Sequence, residues 1–449
     1  MADADTTKQS VLRTFMHGPA SRFDMSPRLK IYTLFLMGVI TALAVMDRNI
    51  LNILLTPIKA EIGASDTAMG LLTGTAFAVF YATAAIPISR IVDVGNRRNL
   101  LAISLAIWSA ATAACGLAHN YWHLLLGRIG VAAGESSANP AIMSIISDLY
   151  PPTQRAMALG VTLMGTGVGV LMGSALGGYL AEHYDWRHAF MVVGIPGLLL
   201  SLLLFWTTPE PVRGASEGGM KADPDSETLG ATMRYVMRTP TFLYVVTAKT
   251  FVQLATQAQL IWAPAFLVRV HDMPLTQVGL YYGLAIAGGT IGAAIVAGLI
   301  SDRLAKRGAV WYLRFGIMSN LVSAPVAAMI AMTQNGTWAV IMIFLYAFAS
   351  STNTTPSFAG ALAVVRPRMR GFTVAVIYFV TNLVGAGLGG LIVGALNDAL
   401  EPRFGDEAIR YSLLVMPCFL SISAVVYYFS TRTIARDVAR AQQTQEGAA

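Results

Sequence analysis

The chain has 449 residues, 55% of them hydrophobic and 12% charged, with a mean hydropathy of +0.59. An ordinary soluble domain carries about 25% charged residues, so this composition excludes a single water-soluble core and points to a bilayer as solvent. The net charge of +7 leaves nucleic acid open until the charges are placed, and the two cysteines, Cys115 and Cys418, both in apolar runs, imply no disulfide framework or metal cluster.

Residues 1–29 are polar and mixed in charge and lack the apolar core of a secretory signal. Beyond them, apolar runs of about 20 residues predict twelve spans. Six cover 30–58, 66–91, 98–118, 121–149, 154–183 and 187–207. Six more cover 240–269, 274–301, 309–332, 337–365, 370–399 and 408–431. The stretch 208–239 contains "EPVRGASEGGMKADPDSETLG", rich in Pro, Gly, Ser and charge, and reads as a linker. The expected organisation is therefore a cytoplasmic segment 1–29, a six-helix domain 30–207, a cytoplasmic linker 208–239, a second six-helix domain 240–431 and a cytoplasmic tail 432–449.

With the amino end inside, twenty-three Lys and Arg fall on the inner side and only Lys59, Arg187, Arg269, Arg403 and Arg410 on the outer side. That asymmetry is the positive-inside pattern and predicts both termini in the cytoplasm. The basic balance reflects orientation, and no nucleic-acid partner is expected.

Two turns echo one another. "SRIVDVGNRRNL" follows the second span and "GLISDRLAKRGA" the eighth, each with an aspartate (Asp93, Asp302) ahead of a basic pair. A second echo joins the fourth and tenth spans, where Pro140 and Pro151 match the spacing of Pro356 and Pro367. Two related six-helix halves make the parallel-repeat arrangement of a transporter. The fifth span carries Gly165, Gly169, Gly173 and Gly177 at four-residue spacing, which suits close helix approach.

The aspartate-basic turn resembles the signature loop of the major facilitator superfamily. Ser89, Val94 and Asn96 depart from that pattern in the first copy, whereas the second keeps Gly298, Asp302 and Arg303. The glycine ladder is similar to the superfamily's fifth helix. Asp47-Arg48 in the first span, together with "GRIGVAAGESSANPA" in the fourth, resembles the spinster group. The resemblance implies an all-α membrane protein of twelve transmembrane helices in two pseudo-symmetric halves. It also implies a lysolipid-like or sphingosine-phosphate-like cargo, with small organic anions, moved by related symporters, as the alternative.

Five charged residues lie deep inside spans, away from the span ends: Asp47, Arg48, Arg128, Glu135 and Lys249. At the middle of a helix in lipid each costs roughly 2.5–3.5 kcal/mol. By position along their spans, Asp47 and Arg48 sit about 5 Å from the midplane, Glu135 near it and Arg128 about 10 Å further out. Those depths predict cross-helix partners, Asp47 with Arg128 and Arg48 with Glu135. Carboxylates beside arginines form a lock that a proton or an anionic headgroup opens, so these four are the expected proton-coupling group, with Arg48 and Arg128 also touching substrate. Ser351 occupies the place of Glu135 in the second half, which concentrates coupling in the first.

Lys249, Gln253 and Gln257 mark a polar face on the seventh span, and Tyr81, Tyr378 and Phe77 are candidates to line an apolar cavity. Asp93, Arg97, Arg98, Asp302, Arg303 and Arg307 read as a cytoplasmic gate latch. No catalytic or metal residues are expected. The six histidines fall near or beyond span ends, and neither an HExxH motif nor a phosphate loop is present. Protons, rather than ATP or a bound cofactor, are the expected energy source. The reading is a monomeric proton-coupled transporter of a cell membrane, bacterial inner membrane by analogy, with symport and antiport both open; an integral membrane enzyme is the weaker rival.

Overall fold

The structure, a computed structural model, describes residues 25–213 and 229–446. The expected N-terminal segment up to residue 24, the linker from 214 to 228 and the last three residues lie outside the described residues. Helices make up every regular element among the described residues.

Nine segments of the described chain are long and apolar enough to cross a membrane by length and composition alone. They cover ten of the twelve expected spans, two of which share one run, and the other two are interrupted and fall outside the nine. The fourth span is divided into Tyr121–Glu135 and Ala138–Leu149, and the tenth into Gly336–Thr352 and Thr354–Ala363. The eleventh and twelfth lie in the single stretch Pro367–Gln443.

The two breaks have one cause. Pro140 and Pro356 are each the third residue of the helix that resumes after the gap. Proline lacks an N–H and fits best in a first turn, where that bond is missing anyway, so each stands where the chain restarts. Serine hydroxyls answer carbonyls around the interruption: Ser136 donates to Ala133 at 2.7 Å, and Ser357 donates to Asn353 at 2.7 Å. The repeat seen in the sequence is thus a repeated helix break. In the first half it leaves Glu135 as the last residue of its helix.

The described chain forms two compact units that do not follow the halves predicted at 30–207 and 240–431. One unit runs to Ile50 and resumes at Val79, and the other joins Leu51–Ala78 to the second half. The physical reason is glycine. A Cβ on Gly70 would lie 2.6 Å from the Gly390 carbonyl oxygen, and one on Gly394 would lie 2.4 Å from the Asp66 oxygen. Main chain meets main chain there, so the start of the second span packs onto the eleventh. Each of those spans also carries a π-helical stretch, Leu71–Thr75 and Thr381–Ala386, and the Thr75 hydroxyl donates to the Gly387 carbonyl at 2.6 Å.

The glycine ladder does the equivalent work in the first unit. Cβ atoms on Gly165, Gly169, Gly173 and Gly177 would collide with residues 38, 42, 46 and 50 of the first span, at 2.3, 2.3, 2.8 and 2.9 Å. At Gly165, Gly169 and Gly173 the nearest neighbour is a main-chain oxygen of the first span, and at Gly177 it is the Ile50 side chain. This contact fixes the rotation of the helix that carries Asp47 and Arg48.

Candidate functional site

Within the first unit the charged residues of the first and fourth spans come together. Arg48 Nη2 lies 2.7 Å from Glu135 Oε1. The guanidinium also stands 5.2 Å from the centroid of the Tyr81 ring, and the Tyr81 hydroxyl accepts from Asn139 Nδ2 at 3.3 Å. A carboxylate at a helix C-terminus opposes that helix's dipole, and the Arg48 cation offsets the conflict.

The second expected pair differs in form. Arg128 Nη1 donates to the main-chain carbonyl of Asp47 at 3.2 Å, whereas the Asp47 carboxylate accepts from the Thr112 hydroxyl at 3.1 Å. The arginine fork thus meets the first span at its main chain. Thr112, on the third span, was not singled out by its sequence because a lone threonine in an apolar helix carries no signal.

Two features set this cluster apart. Asp47, Arg128 and Glu135 are buried, but the Arg48 side chain is 38% exposed, so Arg48 is the group that reaches accessible space. In addition, Asp47 Oδ1 and Glu135 Oε2 are buried with no hydrogen-bond partner among the described residues. A buried acceptor left unfilled costs about 1–3 kcal/mol, more when charged. Protonation turns a carboxylate oxygen from an acceptor into a donor and reduces that cost.

In the second unit Lys249 is half-buried, with its ammonium 4.4 Å from the centroid of the Phe358 ring. Phe358 in turn packs on Tyr378, ring centroids 5.0 Å apart. Gln253 and Gln257 are half-buried as well, because Gly385 and Gly389 of the eleventh span close onto them. Polar groups beyond those expected line the same helices: Ser357 bonds Asn353 Oδ1 and the Tyr427 hydroxyl, each at 2.7 Å. Their trace in the sequence is the uncharged run "SSTNTTPS".

The expected gate residues are distributed differently. Arg97 is buried, and its guanidinium donates to Glu210 at 2.7 Å, to Ser144 Oγ at 2.9 Å and to the Pro211 carbonyl at 2.8 Å, and pairs with Asp148. Arg98 offers its main-chain N–H to Glu210 at 2.8 Å and its side chain to the Phe205 and Thr208 carbonyls. All of these bonds lie inside the first unit, where they tie the third, fourth and sixth spans. The amino end of the third span is capped by Asn96 and faced by Glu210, not by Asp93, which is exposed. Asn96 therefore stands where the superfamily pattern has glycine for a local reason. Arg303 and Arg307 are exposed, Arg307 5.4 Å from the Trp311 ring centroid. The Asp302 side chain lies outside the described residues.

A cluster that sequence reading missed surrounds Asp66. Lys59 lies 2.9 Å from its Oδ1, Arg269 holds both oxygens at 2.6 and 3.0 Å, and Asn397 donates to Oδ2 at 3.0 Å. Asp398 accepts from the N–H groups of Asp66 and Thr67, each at 2.8 Å. Lys59 and Arg269 had read as loop charges that only set orientation.

Helices alone among the described residues, with charges paired inside them, fit a membrane transporter rather than an enzyme. The chain belongs to the Major Facilitator Superfamily, whose profile matches residues 37–390. Its fold is similar to a crystal structure of a bacterial homolog of the human lysosomal transporter Spinster in an inward-facing, unoccupied conformation. The TM-score is 0.83 and the identity 29%, over 92% of this chain and 99% of that one. An MFS-type efflux pump of Mycolicibacterium smegmatis is 27% identical over 403 residues, 90% of this chain and 92% of the pump. A probable L-galactonate transporter of Escherichia coli is 22% identical over 429 residues, 92% of each chain.

Proposed function

We propose that the protein is a proton-coupled secondary transporter that works by alternating access and moves an amphiphilic, lysolipid-like or sphingosine-phosphate-like cargo. It works as a monomer in a cell membrane, the inner membrane of a bacterium, with both termini cytoplasmic, as the positive-inside pattern suggests. The observation that carries the reading is the pair of unfilled carboxylate oxygens, Asp47 Oδ1 and Glu135 Oε2, buried beside Arg48 and Arg128.

Glu135 shares its charge with the exposed Arg48. When a proton takes the place of that ion pair, Arg48 is released toward solvent or an anion, and its own charge cannot be lost. Protonation and arginine orientation are then two faces of one event, which is the requirement for coupling. Asp47 reports the same event to the third span through Thr112 and to the fourth through Arg128. Tyr81, Lys249, Gln253, Gln257 and Tyr378 supply aromatic and polar surface for the cargo, and no cofactor enters the cycle.

A second reading, uptake of a small organic anion, draws on the similarity to the probable L-galactonate transporter. The half-exposed Tyr378 and the Phe358 ring beneath it favour a cargo with an apolar part.

Proteoliposomes under an imposed proton gradient test the proposal. Wild type is expected to accumulate a fluorescent lysolipid against its concentration gradient. Glu135→Gln and Asp47→Asn are expected to retain downhill exchange and lose accumulation. Undiminished accumulation in both variants overturns the coupling assignment, and accumulation of an organic acid without any lysolipid movement selects the second reading.

A further inference from the structure

We infer that the cargo carries one net negative charge and that this charge is met by Lys249 in the second half of the chain, not by the arginines of the first half. The inference rests on the transporter reading above and deepens it by naming the headgroup class.

The first step is a charge balance. In the first unit, Arg48 and Arg128 stand with Asp47 and Glu135, two cations with two acids, so the cluster is neutral when all four are ionised. Arg48 is held by Glu135, and Arg128 by the Asp47 carbonyl. The second half has no such balance. From Pro240 to Ser301 the sequence holds one acid, Asp272, which lies beyond the end of the seventh span. From Ala309 to Asn397, and again from Ala408 to Thr431, it holds none. Lys249 is the one charge deep inside those spans, since Arg269, Arg314, Arg370, Asp398 and Arg410 sit near span ends.

The second step is placement. A lysine in a membrane helix ordinarily extends along its helix to reach the interface. Lys249 instead lays its ammonium over the Phe358 ring at 4.4 Å, on the helix that restarts after the Asn353 break. A ring face attracts a cation but leaves its outward side able to bind an anion. Tyr378, 53% exposed, continues that aromatic floor, and its carbonyl holds the Asn382 amide at 2.9 Å. The π-helical stretch Thr381–Ala386 follows immediately, and such bulges are frequent at functional sites.

The third step is rigidity. The Ala248 carbonyl, next to Lys249, accepts from Ser423 at 2.8 Å, and Ser423 accepts from Asn320 at 2.8 Å. The seventh span is thus braced at the lysine by the ninth and twelfth. A cation on a braced helix, backed by stacked rings and in a span whose sequence holds no acid, is built to take an anionic headgroup joined to an apolar tail.

Two probes sharing one acyl chain isolate the charge: lysophosphatidylglycerol, a phosphodiester monoanion, and the corresponding neutral monoacylglycerol. Binding to purified protein in detergent is measured for wild type, Lys249→Gln, Lys249→Arg and Lys306→Gln. Wild type is expected to prefer the anion, and Lys249→Gln to weaken it about tenfold to a hundredfold while leaving the neutral lipid unchanged. Lys249→Arg should restore the preference, and Lys306→Gln, which removes an exposed cation with no assigned role, should keep it. Lys249→Gln is expected to unfold at no lower temperature than wild type, since it removes an unbalanced charge.

Absence of preference in wild type overturns the inference, as does equal loss of both lipids in Lys249→Gln. Retained preference in Lys249→Gln leaves the anion to other cations and also overturns it, as does loss of preference in Lys306→Gln. The coupling reading fails separately, if wild-type vesicles show no gradient-driven movement of either lipid while the binding difference persists.

Discussion

Two buried charge clusters, one around Glu135 and one around Asp66, are built from the same residue types and arranged to opposite ends. Both oxygens of Asp66 are filled by Lys59, Arg269 and Asn397, and Arg269 engages the carboxylate with both terminal nitrogens. Around Glu135 and Asp47, one oxygen of each carboxylate is left without a donor among the described residues. A filled carboxylate has little to gain from a proton and holds helices together. An unfilled one is stable in either protonation state only if something else changes, which suits a working part. The difference separates a structural clasp from the proposed coupling site without appeal to position along the chain.

The largest expected effect tests the clasp. Replacing Asp66 with Asn keeps the shape and leaves Lys59 and Arg269 facing a neutral amide. Removing one partner of a buried ion pair costs about 3–5 kcal/mol, so Asp66→Asn should lower the thermal unfolding midpoint sharply. Glu135→Gln should not, because its cluster already carries unfilled atoms. Thermal unfolding of the two purified variants side by side is the measurement. Equal destabilisation would erase the distinction drawn here.

A smaller effect comes from the scaffold beneath the coupling cluster. A methyl group on Gly169 would meet the Ala42 carbonyl oxygen at 2.3 Å, main chain that has no rotamer to give. Overpacking of this kind costs about 1–3 kcal/mol and displaces the first span by a few tenths of an ångström. Gly169→Ala is therefore expected to slow coupled transport more than it slows downhill exchange, and an unchanged ratio of the two rates would show that the ladder packs without steering Asp47.

These contrasts also mark what was legible in the sequence. The spans, the repeat and the Arg48–Glu135 contact follow from apolar runs and from depth along two helices, both of which are local quantities. The clasp did not show, because Lys59 and Arg269 sit at span ends where charge is cheap and says little by itself. Arg97 was expected at a gate and is instead bonded to Asp148 and Glu210, 51 and 113 residues away. No spacing rule reaches across such distances. The helix breaks were present as Pro140 and Pro356, yet a proline in a greasy run reads equally as a kink, and only the geometry shows two restarted helices.

The smallest effect tests whether the coupling site extends to the third span. Most threonines in these helices return their hydroxyls to a carbonyl of their own turn, as Thr33, Thr41 and Thr250 do at 2.8 to 2.9 Å. Thr112 gives its proton to Asp47 instead. A hydrogen bond to a charged group contributes about 1.5–3 kcal/mol, and each 1.4 kcal/mol is a factor of about ten. Thr112→Val keeps the volume and removes the donor, so proton-driven accumulation should fall about tenfold, while Thr112→Ser, which keeps the hydroxyl, should stay near wild type. Initial rates in proteoliposomes under a fixed gradient decide it. If valine and serine behave alike, Thr112 is only packing, and the coupling site closes over the first and fourth spans alone.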